Sequence, residues 1–117
     1  MNQKQDLGKL GETRAAEFLS GLGYQIIARN WRGTAGEIDI VARYRRQLVF
    51  VEVKTRSGHQ FGHPFEAITA KKVSTMRRLA HQYCSALNLH EPSVRLDAIA
   101  VFASASGYSI EHLKQVY

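Results

Sequence analysis

The sequence predicts an α/β sandwich: a mixed, largely antiparallel sheet with helices packed on it, in the order α-β-β-β-α-β-β. Three observations carry this expectation. Two stretches place apolar residues at helical spacing, five runs have the composition of strands, and two of those runs are joined by a link short enough to make a hairpin.

Leu7, Leu10, Ala15, Phe18, Leu19 and Leu22 recur with the period of an amphipathic helix over residues 4–22, and Gly21-Leu22-Gly23 supplies its stop. Residues 24–28 are aromatic and β-branched enough for a first strand. Residues 29–36 read as a polar connection holding Trp31, with Gly33 and Gly36 as its flexible points. Runs 37–43 and 48–54 are the hairpin strands, linked by Tyr44-Arg45-Arg46-Gln47. Residues 55–64 form a polar loop. Thr69 is a plausible N-cap for a second amphipathic helix to Leu89, marked by Val73, Met76, Ala80, Tyr83 and Leu87. Residues 95–103 and 108–116 complete the strands, with a turn at 104–107.

At 117 residues the chain is expected to be one domain, 1–117, large enough to bury a core without disulfides or structural metal. With 44% hydrophobic and 22% charged residues it is neither a disordered tail nor a collagen-like repeat. The single cysteine, Cys84, cannot form an intrachain disulfide or a zinc ribbon, and its place in a helical pattern suits a packing residue. No signal-peptide core or bilayer-length apolar run is present, so a cytoplasmic protein without membrane attachment is expected. Lys and Arg number 16 against 10 Asp and Glu, a net +6. Such an excess suits a polyanionic partner such as nucleic acid, although a solvated basic surface has the same composition.

Alternation in the second hairpin strand puts Leu48, Phe50, Glu52 and Lys54 on one face and Val49, Val51 and Val53 on the other. A turn centred between Arg45 and Arg46 sets Arg43 opposite Leu48 and Asp39 opposite Glu52. Two facing carboxylates repel. Either a hard divalent cation offsets the repulsion, or Lys54 neutralises the pair, or the register differs. Glu12, at the margin of the first helix's apolar stripe, either joins these acids or pairs with Lys9 in solvent. Glu37 shares the Asp39 face one pleat further out, and Asp97, in an apolar strand, suits a structural role. His59 and His63 fall in a Gly-rich loop, where their spacing is a weak metal signal. Trp31 and Phe61 are candidates for base stacking or for anchoring loops.

Together these residues resemble a known family. Gly36-Glu37-Ile38-Asp39 followed by Phe50-Val51-Glu52-Val53-Lys54 is similar to the core of the PD-(D/E)xK nuclease superfamily. The wider set adds Gly11-Glu12, Gly23-Tyr24, Arg29-Asn30-Trp31-Arg32, Phe61-Gly62 and Arg95-Leu96-Asp97. It resembles the YraN-like uncharacterised bacterial family, whose members resemble archaeal Holliday-junction resolvases. The resemblance spans nearly the whole chain; one departure is Ile38 where the motif often has proline.

The resemblance implies a restriction-endonuclease-like fold and a divalent metal, usually Mg²⁺, with Mn²⁺ an alternative. Asp39, Glu52 and the Val53 carbonyl would be metal ligands, Lys54 the catalytic lysine, and Glu12 the helix glutamate of the resolvases. The expected function is metal-dependent hydrolysis of DNA phosphodiester bonds, with branched or damaged DNA as candidate substrates. Arg29, Arg32, Arg56, Lys71 and Lys72 are the expected nucleic-acid contacts, and a homodimer is a candidate assembly. The alternative is a nucleic-acid-binding module, weakly catalytic or not at all, acting with a partner protein.

Overall fold

The computed structural model describes residues 3–57, 62–90 and 92–116; His59 and Phe61 lie outside them. Its order is α1 (Gln3–Gly21), β1 (Gln25–Gly33), β2 (Gly36–Tyr44), β3 (Gln47–Ser57), a 3₁₀ turn (Pro64–Ala67), α2 (Ala70–Ala86), β4 (Ser93–Ser104) and β5 (Gly107–Leu113). This is the expected α-β-β-β-α-β-β order. The five strands form one sheet in chain order. Only the β3–β4 pair is parallel, bridged by the α2 crossover; the other three pairs are antiparallel.

Each helix covers one face. Ala15, Ala16 and Leu19 of α1 pack on Ile40, Val49, Val51, Ile99 and Val101. Met76, Leu79, Ala80 and Tyr83 of α2 pack on Ile38, Leu48, Phe50, Leu96 and Ala98. The apolar residues of β3 thus alternate between two cores, which is why this strand reads as nearly continuous hydrophobic sequence. α1 ends as its glycines suggest: Gly23, at φ +94°, closes the last turn with Gly23 N–H to Ser20 O and Tyr24 N–H to Leu19 O, both 3.0 Å. In α2 the Thr69 Oγ1 accepts the Lys72 N–H at 3.1 Å. Asn88, at φ +53°, takes the C-terminal role usually given to glycine.

Several boundaries differ from expectation: α2 and β5 each stop three residues early, at Ala86 and Leu113, and two strands run further than expected. The segment read as a polar connection is mostly strand, since β1 continues through Trp31 and Arg32 to Gly33. Its residues have poor strand propensity, but cross-strand pairing holds them: Trp31 faces Ile38, and Arg32 faces Glu37 with an ion pair at 3.0 Å. β3 also runs on to Ser57, because β4 pairs with it as far as Ala103. Among the described residues no helix is long and apolar enough to cross a membrane.

Candidate active site

Asp39 and Glu52 come together where β2 parts from β3. The ladder between these strands follows the expected register, Arg43 opposite Leu48, and ends at Ile40 opposite Val51. Asp39 and Glu52 are therefore not ladder partners, contrary to the simple extrapolation. Ile38 and Ile40 show why. They stand two residues apart, yet Ile38 is buried on the α2 face and Ile40 on the α1 face. A regular strand would put both on one face, so β2 turns over at Asp39.

The turnover aims the Asp39 carboxylate across the fork, where Oδ2 accepts the Val53 N–H at 2.8 Å. In a strand the N–H and C=O of one residue face the same neighbour. The Val53 carbonyl therefore faces this fork too, beyond the last β2 pair. Burial first, and then the negative charge of Glu52, push the Asp39 carboxyl up to about 7, against the Val53 hydrogen bond and the Lys54 ammonium, which pull it down. The two acids interact through space although the ladder does not join them.

Glu52 lies on the α2 face and is 4% exposed. Its Oε1 meets Lys54 Nζ at 3.5 Å and Lys72 Nζ of α2 at 3.2 Å. Its Oε2 is buried with no hydrogen-bond partner. A buried carboxylate oxygen without a donor costs about 1–3 kcal/mol or more, so this atom is where a cation would fit. Among the described residues no three His, Cys, Asp or Glu side chains form a ready-made cage. The arrangement suits the mode in which one or two carboxylates share a hard cation with a carbonyl, water and substrate phosphate.

Glu12 projects from α1 toward β1. Its Oε1 accepts Asn30 Nδ2 at 2.7 Å and lies 3.6 Å from Arg29, rather than pairing with Lys9. Burial raises its pKa, with the Glu37 charge adding to the rise and Asn30 and Arg29 opposing it. The Glu12 charge in turn acts on Asp39. α1 approaches this closely because residue 11 is glycine: a Cβ there would stand 1.9 Å from Thr55 Oγ1 of β3.

The basic residues divide. Arg29 and Arg32 hold the rim carboxylates Glu12 and Glu37. Arg56 donates to the Thr55 carbonyl at 3.2 Å. Lys71 is exposed beside Lys72, which reaches the centre of the site. Trp31 is a half-buried strand residue whose ring meets Tyr83 edge-on, an anchoring position. His63 caps the 3₁₀ turn through Nδ1 and binds Glu111 at 2.5 Å through Nε2, so both ring nitrogens are engaged.

Asp97 is fully buried on the α1 face. It accepts from Arg95, His112 Nε2 and the Gln115 N–H, and Arg95 also reaches the Tyr24 hydroxyl at 2.6 Å. This is the structural role expected of it. Sequence reasoning missed the part played by Asn30. At φ +54° it points one amide at both Glu12 and Glu37, the second at 3.1 Å. An asparagine inside a strand is its only trace in the sequence, since the left-handed backbone region favours Gly, Asn and Asp.

The model of the uncharacterised protein family UPF0102 matches residues 11–101. A UPF0102 protein of Beutenbergia cavernae is 44% identical over 117 residues, covering 99% of each chain. One of Leifsonia xyli subsp. xyli is 46% identical over 114 residues, 97% of each. One of Symbiobacterium thermophilum is 48% identical over 101 residues, 86% of each.

Proposed function

The chain belongs to the uncharacterised protein family UPF0102, and we propose that it is a divalent-metal-dependent endonuclease that hydrolyses DNA phosphodiester bonds, with branched or damaged DNA as its substrate class. The observation that carries this reading is the buried, unpartnered Glu52 Oε2 beside the Asp39 carboxylate. The resemblance to PD-(D/E)xK nucleases and archaeal resolvases supports it, because the same residues fill the motif positions.

Asp39, Glu52 and the Val53 carbonyl would hold Mg²⁺ or Mn²⁺. When bound, the cation supplies positive charge to the phosphate and lowers the pKa of water. The remaining work belongs to the chain. Water attacks phosphorus in line as the bond to the leaving oxygen breaks, and the proton the water gives up passes to solvent while solvent protonates the leaving oxygen. Lys54, held at 3.5 Å from Glu52, places an ammonium beside the developing negative charge. Glu12, tied to Asn30, adds negative charge at the helix side of the site. Arg29, Arg32, Arg56, Lys71 and Lys72 are the proposed contacts to the nucleic-acid backbone. A four-way junction requires two cuts, so a homodimer is the proposed assembly for that substrate, and light scattering with and without junction DNA tests it.

One observation favours the alternative, a binding module acting with a partner protein. Glu52 already has two ammonium neighbours, so this part of the site is partly neutralised without a metal. A panel of labelled linear, flapped and four-way DNA with Mg²⁺ or Mn²⁺ decides. The nuclease reading expects wild type to cut, while Asp39→Asn and Lys54→Ala bind DNA without cutting. Wild type that binds DNA and cuts nothing on the panel gives the lead to the binding module. Equal cleavage by wild type and both variants rejects this site.

A further inference from the structure

α2 opens with Thr69 as its cap and has Lys71 and Lys72 in its first turn, with no acidic residue there. A helix N-terminus already carries partial positive charge from its free N–H groups, so cations are disfavoured beside it. Lys72 is nevertheless drawn inward, its Nζ 3.2 Å from Glu52 Oε1. Lys54 occupies the same oxygen at 3.5 Å, while Oε2 of the same carboxylate is buried and unpartnered. Two ammonium groups crowd one oxygen of Glu52 and leave the other bare.

Resting on the nuclease reading, we propose that Lys72 is a positioning residue that serves as an internal counter-ion of Glu52 in the cation-free protein and transfers to a phosphate oxygen of bound DNA when a divalent cation takes Glu52. Charge balance favours a move of this kind. A dication at Glu52 would stand among two ammonium groups and a helix N-terminus, and one ammonium must leave or be paired with an anion. Lys54 stands on the same strand and face as Glu52, two residues away, so its backbone keeps it beside that carboxylate. Lys72 reaches Glu52 from a different element, and the two side chains are similarly exposed, 34% for Lys72 and 30% for Lys54. Lys71 lies exposed next to it, so the first turn of α2 offers two cations and a positive helix end to a phosphate backbone.

The test uses the full chain as wild type, Lys72→Ala, Lys72→Gln and Lys72→Arg, with thermal unfolding to check folding. Calorimetry measures Mn²⁺ binding without DNA. Four-way DNA binding is measured in EDTA and in Ca²⁺, comparing the variants in each. Both neutral variants should bind Mn²⁺ more tightly, by roughly three- to ten-fold, because a competing charge is gone. They should lose a similar factor in DNA affinity in Ca²⁺ and less in EDTA, where the wild-type ammonium is still held by Glu52. Lys72→Arg should restore the DNA affinity. Unchanged or weaker Mn²⁺ binding by the neutral variants overturns the proposal, as does an equal loss of DNA affinity in EDTA and Ca²⁺. Folded wild type that takes up no Mn²⁺ overturns the metal-dependent nuclease reading, and this proposal with it.

Discussion

Gly11 of α1 and Thr55 of β3 lie so close that any side chain on Gly11 would collide with Thr55: a Cβ would stand 1.9 Å from its Oγ1 and 2.9 Å from its Cβ. The residue after Gly11 is Glu12, so this contact sets where the helix glutamate sits. Gly11→Ala should gain up to about 1 kcal/mol of helix propensity but lose about 1–3 kcal/mol to overpacking. Urea unfolding should show net destabilisation. Thr55→Ala in the same chain should recover part of it, because the two changes share one contact and are not additive. Full additivity would mean that α1 rests on the sheet elsewhere.

Asp39 titrates near 7 in the folded chain, above the ordinary 3.8. The folded state therefore holds this proton more tightly than the unfolded state does. The stability contributed by the proton is present below the unfolded value and is lost as pH rises through about 7. Asp39→Asn removes this dependence, and its amide oxygen can still accept the Val53 N–H. In EDTA the variant should melt a few degrees above wild type at pH 8, the shift that about 1 kcal/mol produces in a small domain. The gap should narrow toward pH 4. A gap independent of pH would show that the Asp39 charge is not the cause.

Asp97 has the opposite sign. Hydrogen bonds from His112, Arg95 and the Gln115 N–H outweigh its burial and hold its pKa below the ordinary value. Its contribution to stability is present above the unfolded value and is lost as pH falls through the folded one. Arg95→Ala leaves this carboxylate buried with a major partner missing and should cost about 3–5 kcal/mol. Denaturant unfolding at neutral pH measures the loss. A change under 1 kcal/mol would mean that His112 and Gln115 suffice.

DNA affinity should fall steeply with salt, since each neutralised phosphate contributes about −0.9 to the slope of log K against log salt. Lys71 is exposed at the start of α2. Lys71→Ala should weaken binding across sequences and reduce that slope by about 1. Fluorescence anisotropy from 50 to 200 mM salt checks both. An unchanged slope would remove Lys71 from the interface.

The legible parts of the fold were those written as periodicity. Helical spacing marked α1 and α2, and alternation put Glu52 and Lys54 on one face of β3, where they lie. The end of β1 was not legible, because Arg29 to Arg32 form a strand through their partners on β2 rather than through propensity. The turnover at Asp39 was hidden by Ile38 and Ile40, which are both apolar and so imitate a regular strand while serving different cores. Within the site, Asn30 reaching Glu12 and Lys72 reaching Glu52 join elements that only the docked helices bring together. Spacing along one chain carries no signal for such contacts.

The single parallel pair has a consequence for how the chain is made. β1, β2 and β3 can assemble by local hairpins, but β3 must wait for β4, whose Ser93 pairs with Gln47. Synthesis at about 5–20 residues per second leaves that edge bare for roughly 2–10 s. The exposed strand contains Leu48-Val49-Phe50-Val51, a sequence suited to pairing with another nascent chain. Arg45 and Arg46 stand before this run, and Lys54 and Arg56 follow it. Cations so placed act as gatekeepers against edge-to-edge association. Part of the basic excess is thus placed where it opposes edge pairing before the sheet is complete.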